Sequence, residues 1–218
     1  MRLIAAVSLS IALALPVVVG ADAERLKSAE AVLTEMAGSI DTGIPRDLIG
    51  RAQCIVIVPG VKKLALGVGG QYGRGYMACR KSGGGWSAPG GVRIEGGSVG
   101  LQIGGSATDL LLLVMNPRGV DHLLSSKFTL GADVAVAAGP VGRQVQAQTD
   151  ATMMAEILAW SRSRGVFAGI SLQGSTLRED DSENQGLYGK PITNREIVKG
   201  NVKAPRLAEG LMKALGRY

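Results

Sequence analysis

Apolar residues fill the chain almost without interruption from Leu3 to Val19, with Arg2 before them and Ala21-Asp22-Ala23 after. A positive start, an apolar stretch and an A-x-A site make up a secretory signal, so cleavage near Ala23 is expected. An uncleaved anchor is the alternative, although Pro16 disfavours an unbroken helix and the run is at the short limit for a span. From there the pattern turns helical. Leu26, Ala29, Leu33, Met36 and Ile40 recur every three or four residues, which predicts an amphipathic helix over 24–40 closed by Gly43 and Pro45. A second short helix starts at Pro45 and carries Leu48 and Ile49 inward.

At Cys54 the period changes to two. CIVIVP reads as a β-branched strand ended by Pro59-Gly60, and Leu64, Leu66, Val68, Gly70 and Tyr72 share one face of a following strand. FTLGADVAVAAG places Phe128, Leu130, Ala132, Val134, Val136 and Ala138 on one side of a further strand. Two helices interrupt the strands: one from Asn116-Pro117 with Val120, Leu123 and Leu124, and one capped by Asp150 with Met153, Met154, Ile157, Leu158 and Trp160. In the tail, Thr193 and Glu196 have capping-box spacing, and Leu207, Leu211 and Leu215 align on a last helix.

Most of the 32 glycines fall between Gly60 and Gly174, inside the strand-rich region. Interior glycine marks a bulge, a bend or a close backbone approach. The expected class is therefore α+β, with a strongly curved, glycine-rich, mainly antiparallel and barrel-like sheet and packed helices.

Charge narrows the partners. The 218-residue chain carries +6, and removing residues 1–23 takes away Arg2 and Asp22 and leaves it at +6. A basic exported protein is drawn to anionic surfaces, chiefly phospholipid headgroups. Nucleic acid is not expected, because aromatic residues make up 4% and no nucleic-acid-binding motif is present. Cys54 and Cys79 would meet an oxidising compartment, where they either pair or remain two buried thiols.

Candidate chemistry thins out on inspection. Ser98 in GGSVG fits G-x-S-x-G, but Val99, Leu101 and Ile103 alternate after it with strand period where a nucleophile elbow needs a helix. His122 is the single histidine, which leaves little for a metal site, and it reads as a helix-surface or packing residue. EDDSEN at 179–184 reads as a solvated acidic loop, and GRGYMA at 73–78 lacks the helix that a dinucleotide turn requires. Arg143 in GPVGR either pairs with a carboxylate or forks onto a phosphate. No enzyme activity, cofactor or metal is called for.

The ordered blocks IPRDLIGRAQCIVIVPGVKK, GVGGQYGRGYMACR, GGWSAPGGVRIEGGSVGLQIGG, DLLLLVMN, FTLGADVAVAAGPVGR and WSRSRGVFAGISLQGSTLREDDSENQGLYG resemble those of the SYLF domain family over about residues 26–190. The resemblance implies a lipid-binding domain over 24–190, with a helical tail over 191–218. Eukaryotic relatives bind phosphoinositides through an N-terminal amphipathic helix and a basic surface and associate with actin, whereas bacterial relatives are typically exported. The helix from Glu24 stands where the inserting helix belongs. Leu26, Leu33 and Met36 are then the insertion residues and Arg25 and Lys27 the headgroup ligands, with Lys62, Lys63 and Arg143 as further candidates from their own positions in turns. The resulting expectation is a non-catalytic phospholipid-binding protein of the cell envelope, with actin not expected as a partner. The alternative is an adaptor for an envelope protein.

Overall fold

The computed structural model describes residues 17–38, 43–140, 155–163, 166–167 and 172–218, with main chain alone at 17–19, 64–68, 98–106 and 166–167. In chain order these form α1 (Val17–Gly38), α2 (Arg46–Arg51), β1 (Cys54–Cys79), β2 (Gly90–Val114), α3 (Pro117–Leu123), β3 (Lys127–Thr129) and β4 (Val136–Ala138). There follow β5 (Ile157–Ser163), β6 (Val166–Phe167), β7 (Thr176–Glu179), α4 (Asp181–Tyr188), α5 (Asn194–Lys199), a 3-10 turn (Arg206–Ala208) and α6 (Glu209–Leu215).

β1 and β2 pair antiparallel along almost their whole length, from Cys54 opposite Val114 to Met77 opposite Gly90. A straight strand of this length would span about 85 Å. Instead Cys54 and Cys79, its first and last residues, are joined by a disulfide with Cα atoms 3.9 Å apart. Just outside the bond, the Arg80 N–H donates to the Gln53 carbonyl at 2.7 Å. The ribbon is therefore folded back so that the two halves of β1 face each other.

Glycine makes that approach physically feasible. A Cβ at Gly75 would lie 2.7 Å from the Val58 Cα, and one at Gly73 would meet the Val58 and Val61 side chains at 2.8 and 2.9 Å. Between them, the sequence expected a strand end at Pro59-Gly60. The strand instead passes through a bulge, with the register shifting between Val58 and Val61. Gly60 supplies the left-handed residue at φ 56, and its N–H donates to Asp109 Oδ1 at 3.0 Å. Proline lacks a ladder donor, and a bulge is where a strand tolerates it.

The curled sheet is the α+β, barrel-like architecture the glycine pattern predicted. Its path runs β3-β7-β2-β5-β4, with β1 on β2 and β6 on β5, and among these described strand pairs β4–β5 is parallel and the rest antiparallel. It separates two cores. Inside the curl lie Cys54, Val56, Val58, Met77, Ile94, Leu110, Leu112 and Leu177. Outside, Ile55, Ile57, Tyr76, Leu111 and Leu113 pack under α1, α2 and α6. Strands buried on both faces need apolar residues at every position, which accounts for the continuous CIVIV and LLLLV runs.

Local predictions fared unevenly. The helices at Pro45 and Asn116-Pro117 form as expected, Asn116 accepting from the Gly119 N–H, and the Thr193–Glu196 capping box is present. The helix expected to carry Ile157, Leu158 and Trp160 is instead strand β5, because those residues pair with Val114, Leu113 and Leu111 of β2; Asp150, Met153 and Met154 lie outside the described residues. FTLGADVAVAAG is broken into β3 and β4 by a turn at Gly131, whose φ is 81. In the tail, Leu211 and Leu215 are buried whereas Leu207 is exposed, which corrects the three-leucine face. α6 packs on α1, where Gly210 lies against the Glu30 carboxylate. Among the described residues no helix is long and apolar enough to cross a membrane.

Closing a loop of this size removes roughly 3 kcal/mol of chain entropy from the unfolded state. Replacing both Cys54 and Cys79 by serine is expected to lower unfolding free energy by that order in chemical denaturation, with the Arg80–Gln53 pairing losing hydrogen-exchange protection first.

Candidate functional site

α1 covers most of the stretch its apolar spacing predicted, and Leu26, Leu33 and Met36 of the stripe face inward, while Ile40 lies outside the described residues. Leu26 is 2% exposed, and Leu33 and Met36 are fully buried. The outward face carries Glu24, Lys27, Ala31, Thr34 and Glu35. Insertion of Leu26, Leu33 and Met36 into a bilayer is thus incompatible with this conformation. Withdrawing them together with Val32 would forfeit about 6 to 12 kcal/mol of burial, as much as a whole domain's typical stability.

Arg25 is likewise turned inward. Its guanidinium lies 2.5 Å from Glu183 and 3.3 Å from Asp22, and Glu183 also accepts from the Tyr76 hydroxyl. Beside it, Arg74 grips Asp180 through Nε at 2.6 Å and Nη2 at 2.8 Å. Burial pushes the Glu183 carboxyl above its usual range, although Tyr76 and Arg25 oppose it. Burial acts on Asp180 in the same sense, but hydrogen bonds from Arg74 and Ser182 overcome it and hold that carboxyl below its usual range. The EDDSEN segment is therefore no solvated loop. Asp180 caps α4 by accepting from the Glu183 N–H, and Gly189 closes the helix in the left-handed conformation. The signal for this was present: Asp180 and Gly189 bracket one short helix.

A second bridge holds the other end of α1. Arg162 of β5 pairs with Glu35 and, at 3.0 Å, with Asp109. Between the two bridges a groove of about 590 Å³ runs along α1, past Arg25, Val32, Gly60, Asp109 and Arg162. Its arginines are both neutralised by carboxylates. The cations proposed from sequence do not converge: Lys27 and Lys62 are exposed, Lys63 is half-buried with its pKa lowered by burial, and Arg143 lies outside the described residues. His122 sits half-buried on α3, tilted against Phe128 at 6.1 Å. Ser98 lies inside β2, opposite Gly69, with strand on both sides of it. That position does not form a nucleophile elbow.

Free positive charge is found elsewhere. From Lys190 to Arg217 the chain carries Lys190, Arg195, Lys199, Lys203, Arg206, Lys213 and Arg217 against Glu196 and Glu209. All seven cations are exposed. Among the described residues none lies within 4 Å of a carboxylate, whereas Arg25, Arg74, Arg93, Arg162 and Arg178 all do. Composition alone held this signal, since the tail accounts for five of the six net positive charges.

The family model described as Ysc84, Las17-binding protein actin regulator, matches residues 95–218. Protein YSC84 of Saccharomyces cerevisiae is 33% identical over 178 residues, which is 80% of this chain and 38% of that protein. The chain belongs to the Ysc84 (SYLF) family. Other members include the SH3 domain-containing protein PJ696.02 of Schizosaccharomyces pombe, 35% identical over 79% of this chain and 40% of its own length. The human SH3 domain-containing YSC84-like protein 1 is 32% identical over 82% of this chain and 52% of its own. The chain thus spans about half the length of these family members or less. The family's description as actin regulators gives no support to the expectation against actin.

Because Asp180 titrates below its unfolded value, its ion pair stabilises the fold fully above that value, near 3.8, and the contribution is lost as pH falls through the lower folded value. Asp180→Asn is expected to cost about 3 kcal/mol at pH 7, as one partner of a buried pair is lost. It should also flatten the wild-type loss of melting temperature below pH 4, as checked by thermal unfolding across pH.

Proposed function

We propose that the protein is a non-catalytic, peripheral binder of anionic phospholipid surfaces in the cell envelope, exported after signal cleavage near Ala23. The observation that carries this reading is the set of seven exposed cations on Lys190–Arg217, none within 4 Å of a carboxylate among the described residues. α1 serves as a structural helix, and Arg25 is engaged with Glu183 rather than with headgroups. Each lysine or arginine near an anionic bilayer contributes about 1 kcal/mol. Four of them facing the surface give about 4 kcal/mol, a millimolar affinity that salt would abolish.

A second reading rests on the family's description. A surface of this charge also suits an acidic protein partner, and the family's description names Las17 as bound and actin as regulated. The two readings differ in what brings the protein down. Cosedimentation is expected with phosphatidylglycerol-containing vesicles at low salt, to fall steeply by 500 mM salt, and to be absent with neutral vesicles. Lys203→Glu/Arg206→Glu/Lys213→Glu/Arg217→Glu should weaken it severalfold, whereas Lys27→Ala should leave it within twofold. Equal recovery on neutral vesicles would overturn the lipid reading, and pelleting with actin filaments alone would establish the second.

A further inference from the structure

Grooves among the described residues differ in their charge. The groove beside α1 balances Arg25 and Arg162 against Glu24 and Asp109. A second, of about 480 Å³, sets Arg118 against Asp133 and Glu156, and the Arg118–Glu156 pair closes at 3.1 Å. The third, of about 750 Å³, lies over the Cys54–Cys79 bond. Among the described residues its lining includes Arg80, Lys81 and Lys199 and no Asp or Glu.

Arg80 is also the exception among the half-buried arginines of the described residues. The other five each have a side-chain carboxylate within 4 Å. Arg80 instead stacks on Trp86, 4.0 Å from the ring centre, and gives Nη2 to the main-chain oxygens of Ile49, Gly50 and Tyr218. Burial lowers its pKa, the sign of a cation short of a counter-charge. Setting the Tyr218 main-chain oxygen against Arg80 still leaves Lys81 and Lys199 without a carboxylate in the described lining.

The lining also has an apolar part, made by Val120 of α3, Leu124 just after it and Val198 of α5. Its placement is fixed from beneath. Arg195, one turn before Lys199, donates to the Leu124 carbonyl at 3.2 Å. Asn194 anchors α5 to β2 through the Gly91 carbonyl at 2.9 Å. Lys199 is thus carried on a docked helix into a groove whose lining combines three cations with the methyl groups of Val120, Leu124 and Val198. That combination suits an anion attached to a short carbon body.

We propose that the groove over the Cys54–Cys79 bond binds the glycerophosphate headgroup of an anionic phospholipid, its phosphate between Arg80, Lys81 and Lys199 and its glycerol carbons on Val120, Leu124 and Val198. The proposal deepens the membrane reading and rests on it for the source of the ligand. It also supplies what a bare cationic tail lacks, a point of attachment that survives moderate salt.

The test compares Lys81→Glu/Lys199→Glu with a charge-matched control, Lys203→Glu/Lys213→Glu; all four positions are exposed, and thermal melting verifies folding. The groove pair is expected to lose at least tenfold more affinity for phosphatidylglycerol vesicles than the control. Dihexanoyl phosphatidylglycerol should shift the methyl resonances of Val120, Leu124 and Val198 saturably in the wild type and not in the groove pair. Equal weakening of both pairs, with unmoved methyls, would overturn the proposal while leaving the membrane reading intact. Absence of wild-type vesicle binding, with glycerol 3-phosphate still shifting those methyls, would overturn the membrane reading and assign the groove to a soluble phosphate ester.

Discussion

The fold depends on one act of closure. β1 doubles back on itself so that its ends meet at the Cys54–Cys79 bond, and the sheet must curl tightly enough for the two inner faces to touch. Such contact forbids side chains at Gly73 and Gly75, where even a methyl group would strike the opposite half. The curl also creates the division between a core inside the sheet and a core beneath the helices. Covalent bond, bulge and missing side chains are thus parts of a single geometric requirement.

Positive charge is distributed according to the same requirement. Arginines on the curled ribbon and on α1 carry the load of joining layers, with Arg74 on Asp180, Arg25 on Glu183 and Arg162 on Asp109. Each is half-buried, where an unpaired charge would be costly. Lysines and arginines of the last segment are exposed and hold no such partner among the described residues. Sorting cations by burial therefore separates those that hold the architecture from those open to an external anion.

Period and composition made the architecture legible, because strands with buried inner faces and glycines at close approaches leave a pattern in one dimension. β5 escaped this reading: Ile157, Leu158 and Trp160 are buried on both faces of a central strand, and a short apolar run of that kind has no period to tell strand from helix. The α1 stripe was read correctly as amphipathic but assigned to the wrong apolar environment, since spacing tells which residues leave water and not whether protein or lipid receives them. Glu183 and Asp180 were missed as buried groups because their partners, Arg25 and Arg74, lie more than a hundred residues away along the chain. The tail's charge required no structure to see, only counting by segment.

α6 is fastened to α1 through Leu211, Ala214 and Leu215, all sealed from solvent, and α5 is fastened to β2. The cations on these helices consequently form a rigid array and do not hang from a loose tether. A body with its charges set in fixed positions meets a charged plane in one preferred attitude, so neighbouring copies on the same plane would share an orientation and present identical faces to whatever lies above them.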